Sequence, residues 1–263
     1  MNSEILIGTS GYSYADWVGP VYPDGTAAKD YLATYAKTFS FVEINYSYYR
    51  FPVPATFERM VCDTESYFKF SVKAHRSLTH EISANYNESI KLFRDALKPL
   101  SRKGRLVALL LQFPFSFHYT ADARRYLLAL CKGFSGIPLA FEFRNAEWQK
   151  ESVYRGLTEY NASFVNTDLP PLPGLPHPTW VATAPLAYFR FHGRNSELWW
   201  SGDNASRYDY LYSENELSDA AWRMDLSFSR NEPKTVIVAF NNHWKGQAVT
   251  NAIRMRELLA GHA

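Results

Sequence analysis

Eight short apolar runs punctuate the chain, at residues 4–8, 41–45, 68–73, 106–113, 138–144, 162–167, 187–192 and 235–241. Each is too short for an ordinary helix and is rich in Val, Ile, Leu or Phe, the composition of a buried strand. Between most of them lie stretches with apolar residues at helical spacing: 27–39 (Tyr31, Leu32, Tyr35, Phe39), 54–62, 87–100 (Ile90, Phe93, Leu97, Leu100), 121–132, 151–160, 214–228 and 247–259. Pro54 suits the first turn of its helix. Strands alternating with helices predict a parallel sheet. Eight of them in 263 residues predict closure into a (β/α)8 TIM-type barrel, one domain over residues 1–263. One crossover breaks the pattern. After the sixth run, Asp168-Leu-Pro-Pro-Leu-Pro-Gly-Leu-Pro-His-Pro178 holds five prolines, which forbid a regular helix. An irregular Pro-rich crossover is expected there, with room for a short strand at 179–182.

Within the runs, residue parity carries chemical information, because successive strand residues point to opposite faces. Val42 and Ile44 alternate with Glu43 and Asn45. Phe68, Phe70 and Val72 alternate with Lys69, Ser71 and Lys73. Phe141 and Phe143 alternate with Glu142 and Arg144, and Phe189 and Phe191 with Arg190 and His192. Helices cover the outside of a barrel, so the apolar parity is expected to face outward and the polar parity the lumen. Charges there are costly unless they pair or bind something, since a barrel interior is ordinarily packed with branched apolar side chains. The lumen then counts Glu43 and Glu142 against Lys69, Lys73, Arg144 and Arg190, with Asp168 a candidate third negative. A positive surplus in a confined mouth suits an anionic ligand. A closed ion-pair network without a ligand is the alternative.

Bulk properties exclude several classes. Hydrophobic residues make up 46% and charged residues 21%, a globular balance, and the net charge of +2 gives no strong field for bulk nucleic-acid affinity. Cys62 and Cys131 form no CxxC pair and read as two buried, reduced thiols. The start, Met1-Asn2-Ser3-Glu4-Ile5, has neither the basic nor the apolar region of a signal peptide. No apolar run reaches the roughly 20 residues of a membrane span. The expected location is the cytoplasm, with no membrane partner. Neither GxGxxG nor a Walker A motif occurs, so no nucleotide cofactor is expected.

Several segments together resemble the YecE-like family, also called DUF72. They are Ile7-Gly-Thr-Ser-Gly-Tyr-Ser-Tyr14 with Asp16-Trp17, Val42-Glu-Ile-Asn45 with Tyr48-Tyr-Arg-Phe51, Phe68-Lys-Phe-Ser-Val-Lys-Ala74, and Leu111-Gln-Phe-Pro114. Phe141-Glu-Phe-Arg144 with Trp148, Tyr188-Phe-Arg-Phe-His-Gly-Arg194, and Phe240-Asn-Asn242 before Gly246, Ala248 and Asn251 extend the likeness over essentially the whole chain. The block from Ala74-His75-Arg76 to Thr79-His80 is also similar. The resemblance implies a TIM-type barrel and, for a family of unknown function, little about activity.

The candidate chemistry therefore rests on the residues. Glu43 and Glu142 are the candidate general acid and base, or else structural carboxylates neutralised by Arg and Lys. As a pair they also admit a glycosidase, provided their separation fits. Lys73 is a third catalytic candidate, as an ammonium holding an anion or as a Schiff-base amine. Arg144, Arg190 and Arg194 are candidate forks for phosphate or carboxylate oxygens, and Gly193 would let backbone N–H groups approach an anion. Asn241 and Asn242, just before a helix start, could orient a ligand. Tyr12, Asn45, Tyr48, His75, Gln112, Asp168 and His192 complete the candidate binding set. Glu43, Glu142, Asp168, His75 and His192 leave a divalent metal open, but without HxH or HExxH none is assigned. The chain holds 18 Tyr, 18 Phe and 7 Trp. Tyr12, Tyr14 and Trp17 after the first run, and Trp199, Trp200, Tyr208, Tyr210 and Tyr212 after the seventh, are enough to stack bases or sugars, or simply to pack over the barrel. The leading expectation is an enzyme acting on a phosphorylated or phosphodiester substrate. The alternatives are a nucleic-acid-binding module using the aromatic and Arg loops, and a carbohydrate-active enzyme using the paired Glu.

Overall fold

The computed structural model describes residues 3–261, with side chains left aside at 204–205 and 229–231. Met1 and Asn2, which were read for a leader, lie outside the described residues. Eight parallel strands form the barrel: β1 (Glu4–Thr9), β2 (Phe41–Ile44), β3 (Lys69–Lys73), β4 (Leu106–Phe113), β5 (Leu139–Phe143), β6 (Ser163–Asp168), β7 (Leu186–Phe191) and β8 (Thr235–Phe240). They are hydrogen-bonded in the order β1-β8-β7-β6-β5-β4-β3-β2. The α-helices between and after them are α1 (Tyr31–Tyr35), α2 (Tyr46–Tyr49), α3 (Pro54–Cys62), α4 (Tyr86–Arg102), α5 (Ala121–Gly133), α6 (Glu151–Glu159), α7 (Asn204–Arg207), α8 (Glu214–Asn231) and α9 (Gln247–Gly261). The expected helix 27–39 is only half realised. A 3-10 turn at Ala28–Asp30 feeds the five-residue α1.

Closure between β1 and β2 is made by other means than a full ladder. One bridge joins Ser10 to Glu43, and the Gly11 amide donates to the Glu43 carbonyl at 2.8 Å. Below it the Tyr35 hydroxyl is inserted into the seam. It accepts from the Thr9 amide at 2.9 Å and donates to the Phe41 carbonyl at 3.1 Å, so both buried backbone groups are satisfied. Gly8 makes room for this. A Cβ there would sit 2.3 Å from the Phe41 oxygen and 2.8 Å from the Tyr35 hydroxyl.

The alternating pattern sorts the core into two parts. Val42, Ile44, Phe70, Val72, Phe141, Phe143, Phe189 and Phe191 all belong to the large outer cluster under the helices. A separate cluster of the opposite parity fills the lower lumen, with Leu6, Phe41, Leu110, Val165, Tyr188 and Ile237 among its members. Above it the lumen turns polar. On the outside, Phe143, Trp148 and Phe117 stack nearly parallel, with interplanar angles of 8° and 7°, which accounts for part of the aromatic richness as packing.

The Pro-rich crossover is irregular, and 179–182 forms no strand. The Asn166 side chain pairs this segment instead: its Oδ1 accepts from the Val181 amide at 2.9 Å and its Nδ2 donates to the Val181 carbonyl at 2.8 Å. A strap therefore replaces a helix on the outer face of β6, where Asn166 and Asp168 are buried polar residues. Cys131 is buried as expected but Cys62, in the last turn of α3, is exposed. No helix among the described residues is long and apolar enough to cross a membrane.

Candidate functional site

The polar upper lumen is organised by one guanidinium. Arg190, on β7, is buried between two carboxylates that sequence separates widely. Its Nε and Nη2 grip Glu43 of β2 at 2.9 and 2.6 Å, and its Nη1 donates to Glu142 of β5. The second Glu43 partner is the Tyr188 hydroxyl, at 2.6 Å from Oε2. The other Glu142 oxygen accepts from Arg144 Nε at 2.6 Å and lies 3.2 Å from His192 Nε2. Both glutamates and His192 are fully buried. Burial alone would raise the Glu142 carboxyl, but Arg190, Arg144 and His192 hold it well below its ordinary range. His192 is pushed far down, first by burial and then by Arg144, so its ring is neutral. Its Nδ1 faces donors on Asn241, at 3.0 Å, and on Arg144, at 3.2 Å. That assigns the ring proton to Nε2, which donates to Glu142.

The charge ledger differs from the one read off parity. Two carboxylates face two guanidiniums, and they pair. Lys69 drops out, because it opens β3 at the far end of the barrel and its Nζ bonds the Gly104 carbonyl at 2.8 Å. Lys73, four residues on, ends β3 at the mouth. Among the described residues its Nζ has no hydrogen bond and no carboxylate at ion-pair distance, and it sits over the Tyr48 ring, 4.4 Å from the centroid. Burial, then repulsion from Arg190 and Arg144, bring this ammonium down to about 7, with Glu142 and Glu43 offsetting part of the effect.

Lys73, Arg144, Arg190, Asn45 and Asn241 line an open cavity of about 400 Å³ together with an aromatic wall. Glu43 and Glu142 do not line it, so the surface offered to a ligand is the cationic side of the network. Tyr14 and His243 stack at 4.5 Å and 7° and join the loops after β1 and β8. The Trp17 indole donates to the His243 carbonyl at 2.8 Å and fixes that wall. Tyr12, Tyr46 and Tyr49 form the side nearest β2, and Tyr208 reaches in from the long loop after β7. Asn45 Oδ1 is buried with no hydrogen-bond partner in the described protein.

Other candidates stand elsewhere. Asp168 and Arg194 point away from the lumen and grip each other twice, at 2.8 and 2.6 Å, with Glu216 and the Tyr212 hydroxyl completing a closed cluster under α8. Asp168 has the outward parity of β6, and Arg194 follows it, so neither reaches the cavity. Asn242, also outward, ties the Tyr210 carbonyl to Asn251. The Gly193 amide donates to the Tyr212 hydroxyl at 2.9 Å rather than to a ligand, and its φ of +86° serves close packing on Tyr210. The backbone amide of Lys245, near the helix start after β8, is taken by Asp16. His75 caps the 3-10 turn Arg76–Leu78 and packs on Phe51, and Gln112 bonds the neighbouring Phe113 carbonyl; neither lines the cavity. No group of three or more His, Cys, Asp or Glu side chains gathers to hold a metal ion among the described residues.

Several participants were not picked out from the sequence, the cavity-lining Tyr46 among them. Tyr188 shares lumen parity with Arg190 and was legible from that alternation. Ser10 accepts from Arg190 Nη2 at 3.3 Å one residue past β1, and His243 lies in a turn with no periodic signal. His80, packed edge-on against Tyr48 at 4.9 Å, is pushed down to about 4 by burial and by Lys73 and Arg144, and so is neutral near pH 7.

Fold and site together define an α/β barrel of TIM type with a buried Glu–Arg–Glu bridge beneath a cationic, aromatic-walled mouth. The chain belongs to the DUF72 family, whose model, described as a protein of unknown function, matches residues 6–263. Its relatives agree. UPF0759 protein YunF of Bacillus subtilis is 32% identical, over 97% of this chain and 94% of that protein. The crystal structure of a DUF72 family protein from Thermotoga maritima superposes with a TM-score of 0.90 at 37% identity, covering 98% of this chain and 99% of that one. A DUF72 family protein from Enterococcus faecalis gives 0.85 at 28% identity, covering 97% and 95%.

Proposed function

We propose that this chain is an enzyme acting on a small anionic substrate, phosphorylated or carboxylated, bound in the mouth of the barrel. The observation that carries the proposal is Lys73: the one lumen cation without a carboxylate partner among the described residues, in a cavity that Arg144 and Arg190 also line. Arg144 spends Nε on Glu142 and Nη2 on His192, which leaves Nη1 without a protein partner among the described residues. Lys73 and Arg144 hold the anion. Proton transfer falls to Lys73, not to Glu43 or Glu142, because neither carboxylate lines the cavity and Glu142 is held ionised by its guanidiniums. For the same reason the two-carboxylate glycosidase loses support.

Calorimetric titration with inorganic phosphate and sulfate tests the reading. Binding at millimolar concentration or tighter is expected in the natural chain, with a loss of about tenfold or more in Arg144→Ala. A folded protein that binds neither ion at millimolar concentration overturns it. The aromatic wall supports a second reading, in which the anion belongs to a nucleic-acid end with its base stacked on Tyr14 or Tyr49. Filter binding of a short single-stranded oligonucleotide would then be strong at low salt and fall steeply with added salt; no retention at low salt removes it.

A further inference from the structure

Resting on the anion-binding reading of this cavity, we propose that Lys73 is a nucleophilic amine that forms an imine with an aldehyde or ketone substrate carrying the anionic group. Its position sets it apart from every other cation of the lumen. It stands at the C-terminal end of β3 with Nζ over the face of Tyr48, and it shares the cavity with Arg144, whose unspent Nη1 can hold a phosphate or carboxylate a few bonds from a reacting carbonyl. Both lumen carboxylates are committed elsewhere: Glu43 to Arg190 and Tyr188, Glu142 to Arg190, Arg144 and His192. An ammonium with a carboxylate partner would be held charged. This one has none to recruit without breaking the Glu–Arg–Glu bridge, and burial among guanidiniums leaves a large share of it as the free base at neutral pH.

The step balances without an oxidant or a metal. The Nζ lone pair attacks the carbonyl carbon, the carbonyl π pair moves to oxygen, and one N–H proton is relayed to that oxygen to give a carbinolamine. Loss of water then forms the C=N bond, so amine plus carbonyl yields imine plus one water. Water in the open cavity carries the protons. The substrate's carbonyl carbon becomes an electron sink, and the cavity of about 400 Å³ admits a ligand of metabolite size.

Pyridoxal 5′-phosphate is a suitable probe because it joins an aldehyde to a phosphate. The full chain is incubated with it at pH 7, reduced with borohydride, digested and mapped by mass spectrometry. Near pH 7 an ordinary lysine is less than about 0.1% free base, so Lys73 is expected to be labelled roughly a thousandfold faster than an exposed lysine. The label should be displaced by inorganic phosphate and its rate should rise with a midpoint near pH 7. Lys73→Arg should lose the label with its fold retained by circular dichroism, and Arg144→Ala should slow the labelling of Lys73 as it weakens phosphate binding. Labelling spread over surface lysines while phosphate still binds overturns the imine and leaves the anion site standing. Selective labelling that phosphate does not displace overturns the substrate class. Absence of both labelling and phosphate binding brings down this inference together with the reading beneath it.

Discussion

Replacing Arg190 with Met removes the guanidinium that serves both lumen carboxylates and leaves the volume nearly filled. The damage is unequal. Glu142 keeps Arg144 and His192, but Glu43 keeps only the Tyr188 hydroxyl while remaining fully buried. Stranding one partner of a buried ion pair costs about 3–5 kcal/mol. In a protein of this size 1 kcal/mol moves Tm by about 2–4 °C, so a fall of roughly 6–20 °C is expected at pH 7.5. The loss is also pH-dependent, with a definite sign. A proton on the stranded Glu43 removes the buried charge, so the native variant takes up a proton that the unfolded chain does not hold near neutrality. Its stability deficit against the natural chain therefore shrinks as pH falls from 7.5 to 5. Adding Glu43→Gln should restore part of the loss, because the double variant has no charge left to strand. Urea denaturation followed by circular dichroism at both pH values measures all of this. A deficit below about 1 kcal/mol, or one equal at pH 7.5 and 5, would show that Arg190 does not neutralise Glu43 inside the barrel.

Lys73→Met should stabilise the protein most at low pH. The folded ammonium sits at about 7 against an ordinary 10.5, so the unfolded chain binds more protons between those values, and the natural chain's deficit is full below pH 7 and fades as pH rises toward 10.5. Discounted for partial exposure, the gain at pH 6 is about 2–3 kcal/mol; urea midpoints at pH 6 and 10 check it, and an equal gain at both refutes it. Tyr35→Phe should cost about 1–3 kcal/mol, because the Thr9 amide and Phe41 carbonyl lose their shared partner. Gly8→Ala should cost more at the same seam, given the 2.3 Å approach, and thermal melts rank the two. Arg194→Ala should lower Tm by opening the Asp168–Glu216 cluster yet leave phosphate affinity within about twofold of the natural chain, since that cluster lies outside the cavity; calorimetry on the variant decides.

Much of the architecture was written in local pattern. Alternation along β2, β3, β5 and β7 placed Glu43, Lys73, Glu142, Arg144 and Arg190 on the lumen side, because strand parity depends on neighbours two residues apart and on nothing distant. Asp168, counted only as a candidate third lumen charge, lies on the outward parity of β6, under a proline strap instead of a helix. Parity also cannot tell one end of a strand from the other, so Lys69 and Lys73 look alike in sequence and lie at opposite ends of β3.

What the tertiary structure alone decided is who pairs with whom. The Arg190–Glu43 contact joins residues 147 apart, and its geometry depends on the register of strands on different sides of the barrel. That register commits both glutamates, fixes the His192 tautomer and leaves Lys73 over. Sequence determined that charges enter the lumen; closure of the ring determined which of them remains available to a ligand, because electrostatic pairing acts across space and strand alternation only along the chain.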